Sequence, residues 1–142
     1  MPDELAITDF PLRAKDKLRY GDTDRQGHIN NAVFSTFLET GRVELIYDRA
    51  RRLVEPGTAF VIARLEMDFR AELLWPGEVE IGTRIASIGR SSVRLEQAIF
   101  QGERCVASGI TVMVQMDEAT RKARPFSEAV RKQLAQLAAP AA

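Results

Sequence analysis

Within ten residues the chain places two carboxylates, Asp22 and Asp24, then Gly27, its one histidine, His28, and two asparagines, Asn30 and Asn31. They stand in the stretch "RYGDTDRQGHINNAVFSTFLETGRVELIYD", residues 19–48, directly ahead of a helical pattern. An ordinary helix start needs one capping side chain, and Asn30 or Asn31 can supply it. On an extended segment Asp22 and Asp24, two apart, would face one side. Gly27 relieves the backbone where the chain must turn. The first N–H groups of a helix have no internal partners and carry the positive end of its dipole. A carboxylate beside such an end can act as a nucleophile or base next to a ready oxyanion hole. The same acids with His28 could hold a divalent cation, but no further ligands are evident. On spacing alone Asp24 is equally a turn acid, and His28 a satisfied polar residue.

The elements that must position this loop follow from periodicity. Phe34, Phe37, Leu38, Gly41 and Leu45 keep the i, i+3, i+4, i+7, i+11 spacing of one buried helical stripe, in a helix expected from Asn31 to Arg52. Gly41 within it costs roughly 1 kcal/mol against alanine, which close approach to a sheet would compensate. Off the stripe, Glu39, Glu44, Asp48 and Arg49 read as solvated, and Glu39 with Arg42 as a surface pair. After "EPG" the period becomes two. Val61, Ala63, Leu65, Met67 and Phe69 predict a strand with one buried face. "WPG" at 75–77 ends it. Further strands follow on Val79–Ile85, Val93–Ile99 and Val106–Met116, separated by the turns "GRSS" (89–92) and "QGE" (101–103). Residues 14–20 are a weaker strand candidate. Residues 1–12 read as an irregular lead-in, 127–137 as a last helix through Val130, Leu134 and Leu137, and 138–142 as a frayed end. Short connections favour antiparallel neighbours. Strands set apart from one long helix predict a single α+β domain over residues 1–142. One helix leaves sheet edges open, and a second copy of the chain is the simplest cover.

Twenty basic and twenty acidic residues cancel, which gives no support to a nucleic-acid or membrane-surface partner. No apolar run approaches the ~20 residues of a bilayer span, and the start has no signal-peptide pattern. The single cysteine, Cys105, reads as a small core residue and fits a reducing cytoplasm. No P-loop, dinucleotide-binding or serine-elbow motif is present.

The segment "YGDTDRQGHINNAVFSTFLETGR" resembles the active-site segment of hotdog-fold acyl-CoA thioesterases of the 4-hydroxybenzoyl-CoA thioesterase type. The resembling positions are Tyr20, Asp22, Asp24, Gly27, His28, Asn30, Asn31, Phe34, Glu39 and Arg42. "WPGEVEIGTRI" and "IGRSSV" are similar to later features of that family, so the likeness covers roughly residues 14–117. It implies an antiparallel sheet wrapped around one long helix. It also implies homodimers or homotetramers with sites between subunits, and hydrolysis of an acyl-CoA without cofactor or metal. By the same resemblance Asp24 is the catalytic carboxylate, with His28 near it, and Glu39 and Arg42 support the site or the subunit interface. The N–H of Asn31 polarises the thioester carbonyl, and Arg90, Ser91 and Ser92 meet the coenzyme's phosphates. Rival readings are a hotdog dehydratase or hydratase, in which His28 works with an acid across the site, and a non-catalytic acyl-CoA binder.

Overall fold

Antiparallel pairing joins all five strands: β1 (Leu12–Lys17), β2 (Thr58–Phe69), β3 (Glu78–Ile88), β4 (Ser92–Gln101) and β5 (Arg104–Asp117). They stand in the order β1-β3-β4-β5-β2. The computed structural model describes residues 4–138. Helix α1 (Asn31–Ile46) crosses one face of the sheet against β1, β3 and β4, and α2 (Glu128–Ala138) follows β5. This is the expected sheet around one long helix. Among the described residues no helix is long and apolar enough to cross a membrane.

The predicted stripe of α1 is buried at each of its five positions. A Cβ on Gly41 would fall 2.8 Å from Ile81 Cγ2, 2.9 Å from Gln97 Nε2 and 3.1 Å from Thr83 Oγ1. The helix therefore rests with its backbone on the sheet. Gly41→Ala sets about 1 kcal/mol of propensity gain against about 1–3 kcal/mol of overpacking. Ile81 is branched and Gln97 is tied into a buried network, so neither yields readily. Gly41→Ala is expected to lower the melting temperature, and an unchanged or higher value would show that α1 can lift from the sheet.

Three expectations need correction. First, α1 stops at Ile46, not Arg52. Tyr47 already leaves helical geometry, and the Asp48 carboxylate accepts the Ala50 N–H at 2.9 Å, diverting the backbone into a turn. Second, Arg42 is not a surface partner of Glu39. It is 3% exposed, and its Nη1 donates to Gln97 Oε1 (3.3 Å) and Thr111 Oγ1 (3.4 Å). Burial pulls its pKa down, opposed by the nearby Glu39 charge. Third, β2 is an edge strand without a well-buried face. Ile62 is 47% and Phe69 56% exposed, with Val61 and Leu65 also open. A register shift between Ile62 and Arg64 brings Ile62 onto the same side as Leu65, Met67 and Phe69. The irregular lead-in ahead of β1 also contributes to the core. Phe10 is fully buried on the far face of the sheet, edge-to-face with Phe100 at 6.1 Å, and β1 begins at Leu12.

In β5 the residues that join the core under the helices are Val106, Ala107 and Met113, with Thr111 held by Arg42. The more apolar alternate set, Ile110, Val112 and Val114, is only partly buried. On α2, Val130 and Leu134 are buried and Leu137 packs beside them, closing the end of the core that holds Leu45, Ile85 and Phe126. The frayed end expected at 138–142 lies outside the described residues apart from Ala138, the last residue of α2.

Candidate active site

The loop ahead of α1 is built by its own side chains. Residues Tyr20–Asp22 make a 3-10 turn. Asp22 Oδ2 accepts the Arg19 N–H at 3.2 Å, and its carbonyl accepts the Asn30 N–H at 2.8 Å. Asp22 is thus turned back to brace the loop and does not share a face with Asp24, because the segment is a tight turn and not extended. Asp24 Oδ1 accepts the N–H groups of Gln26 (2.8 Å) and His28 (3.1 Å), while the Asp24 N–H bonds the His28 carbonyl at 2.7 Å. Gly27 closes this ring at φ +80°, where glycine is unstrained. Among the described residues Asp24 Oδ2 has no hydrogen-bond partner. The turn contacts of Asp24 therefore use one carboxylate oxygen and leave the other open.

Asn30 is the helix cap, its Oδ1 accepting the Ala32 N–H at 3.0 Å. Asn31 is the first helical residue, and its N–H makes no hydrogen bond among the described residues. Asp24, His28 and Asn31 line one concavity of about 470 Å³ with Ile29, Asn30, Phe34, Phe69, Glu72 and Leu73. Phe34 and Phe69 meet edge-to-face at 5.2 Å and form an apolar wall. The arrangement offers a carboxylate oxygen, an open N–H at the positive end of a 16-residue helix and an apolar surface. Those are the parts needed to attack a polarised acyl carbon.

Ile29, Phe69, Glu72 and Leu73 of the concavity escaped the sequence. The alternation in β2 places Phe69 in the core. Glu72 stood in "RAELLWPG" with no spacing to mark it, and only the tertiary fold brings its Oε2 to 3.6 Å from His28 Nε2.

Arg90 and Ser91 lie in the β3–β4 turn and Ser92 opens β4, at the other end of the sheet from Asp24. Ser92 pairs with Val114, whereas Phe69 of the concavity pairs with Ala107. Those rows are seven residues apart along β5, about 23 Å at 3.3 Å per residue. Within one protomer this turn is remote from Asp24. Its carbonyls hold the start of α2: Arg90 O accepts from Phe126 N (3.0 Å) and Arg131 Nη2 (3.2 Å).

Among the described residues no three His, Cys, Asp or Glu side chains are grouped to hold a metal ion. Cys105 is half-buried, its Sγ 3.3 Å from the Ala107 carbonyl, and burial pushes its thiol pKa up, the wrong direction for a nucleophile. A second concavity of about 460 Å³, between β1 and the C-terminal half of α1, is lined by the opposed charges of Arg13, Glu44, Asp48 and Arg51. It includes no helix N-terminus.

Residues 18–134 match the thioesterase-like superfamily. The YsmA protein of Bacillus subtilis (strain 168) is 26% identical over 136 residues, which span 94% of this chain and 92% of that protein. A thioesterase from Thermus thermophilus, complexed with coenzyme A and Zn, is 34% identical with a TM-score of 0.79, over 91% of this chain and 95% of that one. A predicted thioesterase from Bacillus stearothermophilus is 26% identical with a TM-score of 0.81, over 92% and 98% of the two chains. The superfamily match takes in the loop, α1, β2 to β5 and most of α2, and the solved thioesterases share the sheet wrapped around one helix. The chain belongs to the thioesterase-like superfamily and is a hotdog-fold thioester hydrolase.

Proposed function

We propose that the protein hydrolyses an acyl-CoA to the free acid and coenzyme A, in the cytoplasm, with Asp24 as the catalytic carboxylate. The observation that carries this is the meeting, in one concavity, of an unbonded Asp24 oxygen, the open Asn31 N–H and the apolar Phe34–Phe69 wall. The acyl carbonyl oxygen would lie at the Asn31 N–H, so that charge developing on it meets a fixed donor and the helix dipole. Asp24 would then add to the acyl carbon, giving an acyl-aspartyl anhydride that water opens, or take a proton from an attacking water. The coenzyme A complex of the T. thermophilus thioesterase supports the choice of thiol. Thiol release from a panel of acyl-CoAs differing in chain length and aromaticity, followed by disulfide exchange, tests the reading. An enoyl absorbance change without thiol would mark a dehydratase instead, and stabilisation by acyl-CoA with neither signal a binder.

The open edge of β2 supports a homodimer. A second β2 running antiparallel beside it would bury the bare row of Ile62, Leu65 and Phe69 and remove the edge. That pairing would also answer the remoteness of Arg90. It would set the Thr58 end of one β2 against the Phe69 end of the other. The partner's β3–β4 turn would then lie at the Asp24 end, three strand spacings away, about 14 Å. The pantetheine arm of coenzyme A can bridge such a span. Arg90 would thus bind the phosphates of the coenzyme whose thioester lies at the partner's Asp24. Arg90→Ala is expected to raise KM about ten-fold or more with kcat nearly unchanged, since one charge-assisted contact contributes about 1.5–3 kcal/mol. An unchanged KM would remove Arg90 from the site.

A further inference from the structure

We infer that Glu72 is a positioning residue for His28, and that the pair supplies the proton taken by the departing coenzyme A sulfur. The inference rests on the assignment of this concavity as the thioesterase site. His28 Nε2 lies 3.6 Å from Glu72 Oε2, close to hydrogen-bond range, as catalytic contacts often are before substrate tightens them. Both residues line the concavity with Asp24. The contact is held from several sides. The Ile29 N–H donates to the Leu73 carbonyl at 2.9 Å, and His28 bridges to Leu74, so the loop of His28 and the segment of Glu72 run together as a short antiparallel ribbon. Gln101 donates to the Leu74 carbonyl at 2.8 Å, and Arg104 Nη2 donates to the Glu72 carbonyl at 2.6 Å. The backbone under Glu72 is therefore pinned to β4 and β5, while its carboxylate is left toward His28.

A histidine bonded through one ring nitrogen has its tautomer and orientation set by that bond, which leaves the other nitrogen for chemistry. Nε2 of His28 faces Glu72, and Nδ1 makes no hydrogen bond among the described residues. On either Asp24 route the carbon–sulfur bond breaks with its electron pair remaining on sulfur. The sulfur takes the Nδ1 proton of the imidazolium and leaves as the thiol. The proton released by the consumed water, whether to Asp24 or during anhydride opening, returns the ring to its starting state. The net change is one water and one thioester converted to carboxylate, proton and thiol. Asp24 and Glu72 are the acidic side chains that line the concavity with His28, and Arg104 approaches at the Glu72 carbonyl, away from the carboxylate contact.

The test compares two leaving groups. The best acyl-CoA of the panel and the 4-nitrothiophenyl ester of the same acid are hydrolysed by wild type, Glu72→Gln, Glu72→Asp, His28→Gln, the His28→Gln/Glu72→Gln double variant and Asp24→Asn. Nitrothiophenolate leaves without a proton. Glu72→Gln is expected to lower kcat on the CoA ester about ten-fold, part of the 10²–10⁴ a positioned acid supplies, with KM within about two-fold. On the nitrothiophenyl ester the loss should shrink to about two-fold or less. Glu72→Asp should recover part of the loss, and in the His28→Gln background Glu72→Gln should add nothing. Equal losses on the two esters would make Glu72 merely structural and overturn the inference, as would wild-type activity of Glu72→Gln. Asp24→Asn separates the two levels. If it is inactive on both esters while Glu72→Gln behaves as wild type, only the Glu72 role fails. If Asp24→Asn is fully active, the site assignment fails and the Glu72 role with it.

Discussion

Asp24→Asn should fold, bind acyl-CoA and hydrolyse it about 10²-fold or more slowly than wild type, the scale for losing a general base. The loop survives the change because Asn keeps a carbonyl oxygen in the place of Oδ1, and that oxygen can still accept the Gln26 and His28 N–H groups. The other oxygen, unbonded in the native loop, becomes an amide nitrogen that neither attacks carbon nor accepts a proton. The Asn31 N–H and the Phe34–Phe69 wall are untouched, so binding persists. Asp22→Asn is the control. Asp22 does not line the concavity, and its Oδ2 meets both the Arg19 N–H and Arg19 Nε (3.3 Å). Its substitution should lower stability more than kcat. Hydrolysis by Asp24→Asn at near the wild-type rate would reject a carboxylate mechanism, and a dead Asp22→Asn with a live Asp24→Asn would mean the wrong acid of the pair had been chosen. Single turnover in oxygen-18 water then separates the routes. Label entering Asp24 requires an anhydride opened at the aspartyl carbonyl. Without it, base catalysis and an anhydride opened at the acyl carbon both stand.

What could be read from the sequence was local. The stripe from Phe34 to Leu45, the turns near 89–92 and 101–103 and the two-residue period of the strands each follow from side chains a few positions apart, and each of these elements exists, with α1 ending six residues early. The loop was legible for the same reason, since Asp24 bonds Gln26, Gly27 and His28, and Asn30 bonds Asp22 and Ala32, all within about ten residues. Failures came where tertiary neighbours decide. Arg42 looked solvated because nothing within α1 shows that Gln97 and Thr111 lie beneath it. In β5 the apolar alternate set drew attention, yet Ile110, Val112 and Val114 are only partly buried, and hydrophobicity alone cannot choose the face under a helix. Glu72 was invisible because its partner stands 44 residues earlier, and β2 looked buried because alternation does not tell an edge strand from an inner one.

Ile62→Glu/Leu65→Glu should convert a dimer into a folded monomer of about 15.9 kDa with little activity. Both side chains are more than a third exposed on the isolated protomer, so charging them costs its core little. Across a two-fold axis the same change would oppose four carboxylates in an apolar seam, where unpaired charge is strongly unfavourable. If Arg90 serves the partner's site, the monomer also loses its phosphate contact and the far wall of the acyl pocket, so its activity should fall by well over ten-fold. A wild-type protein that scatters light as a folded monomer at micromolar concentration would end the dimer argument at once. The trans assignment has its own test in mixed dimers. Asp24→Asn lacks the carboxylate and Arg90→Ala the phosphate contact, so each is poor alone at low acyl-CoA. After subunit exchange half of the dimers carry one copy of each, and in those one site combines the intact Asp24 of one chain with the intact Arg90 of the other. Activity at low substrate should then rise to about a quarter of wild type, one good site in half of the dimers. Were Arg90 to act on its own protomer's Asp24, neither site of the mixed dimer would be whole, and exchange would restore nothing.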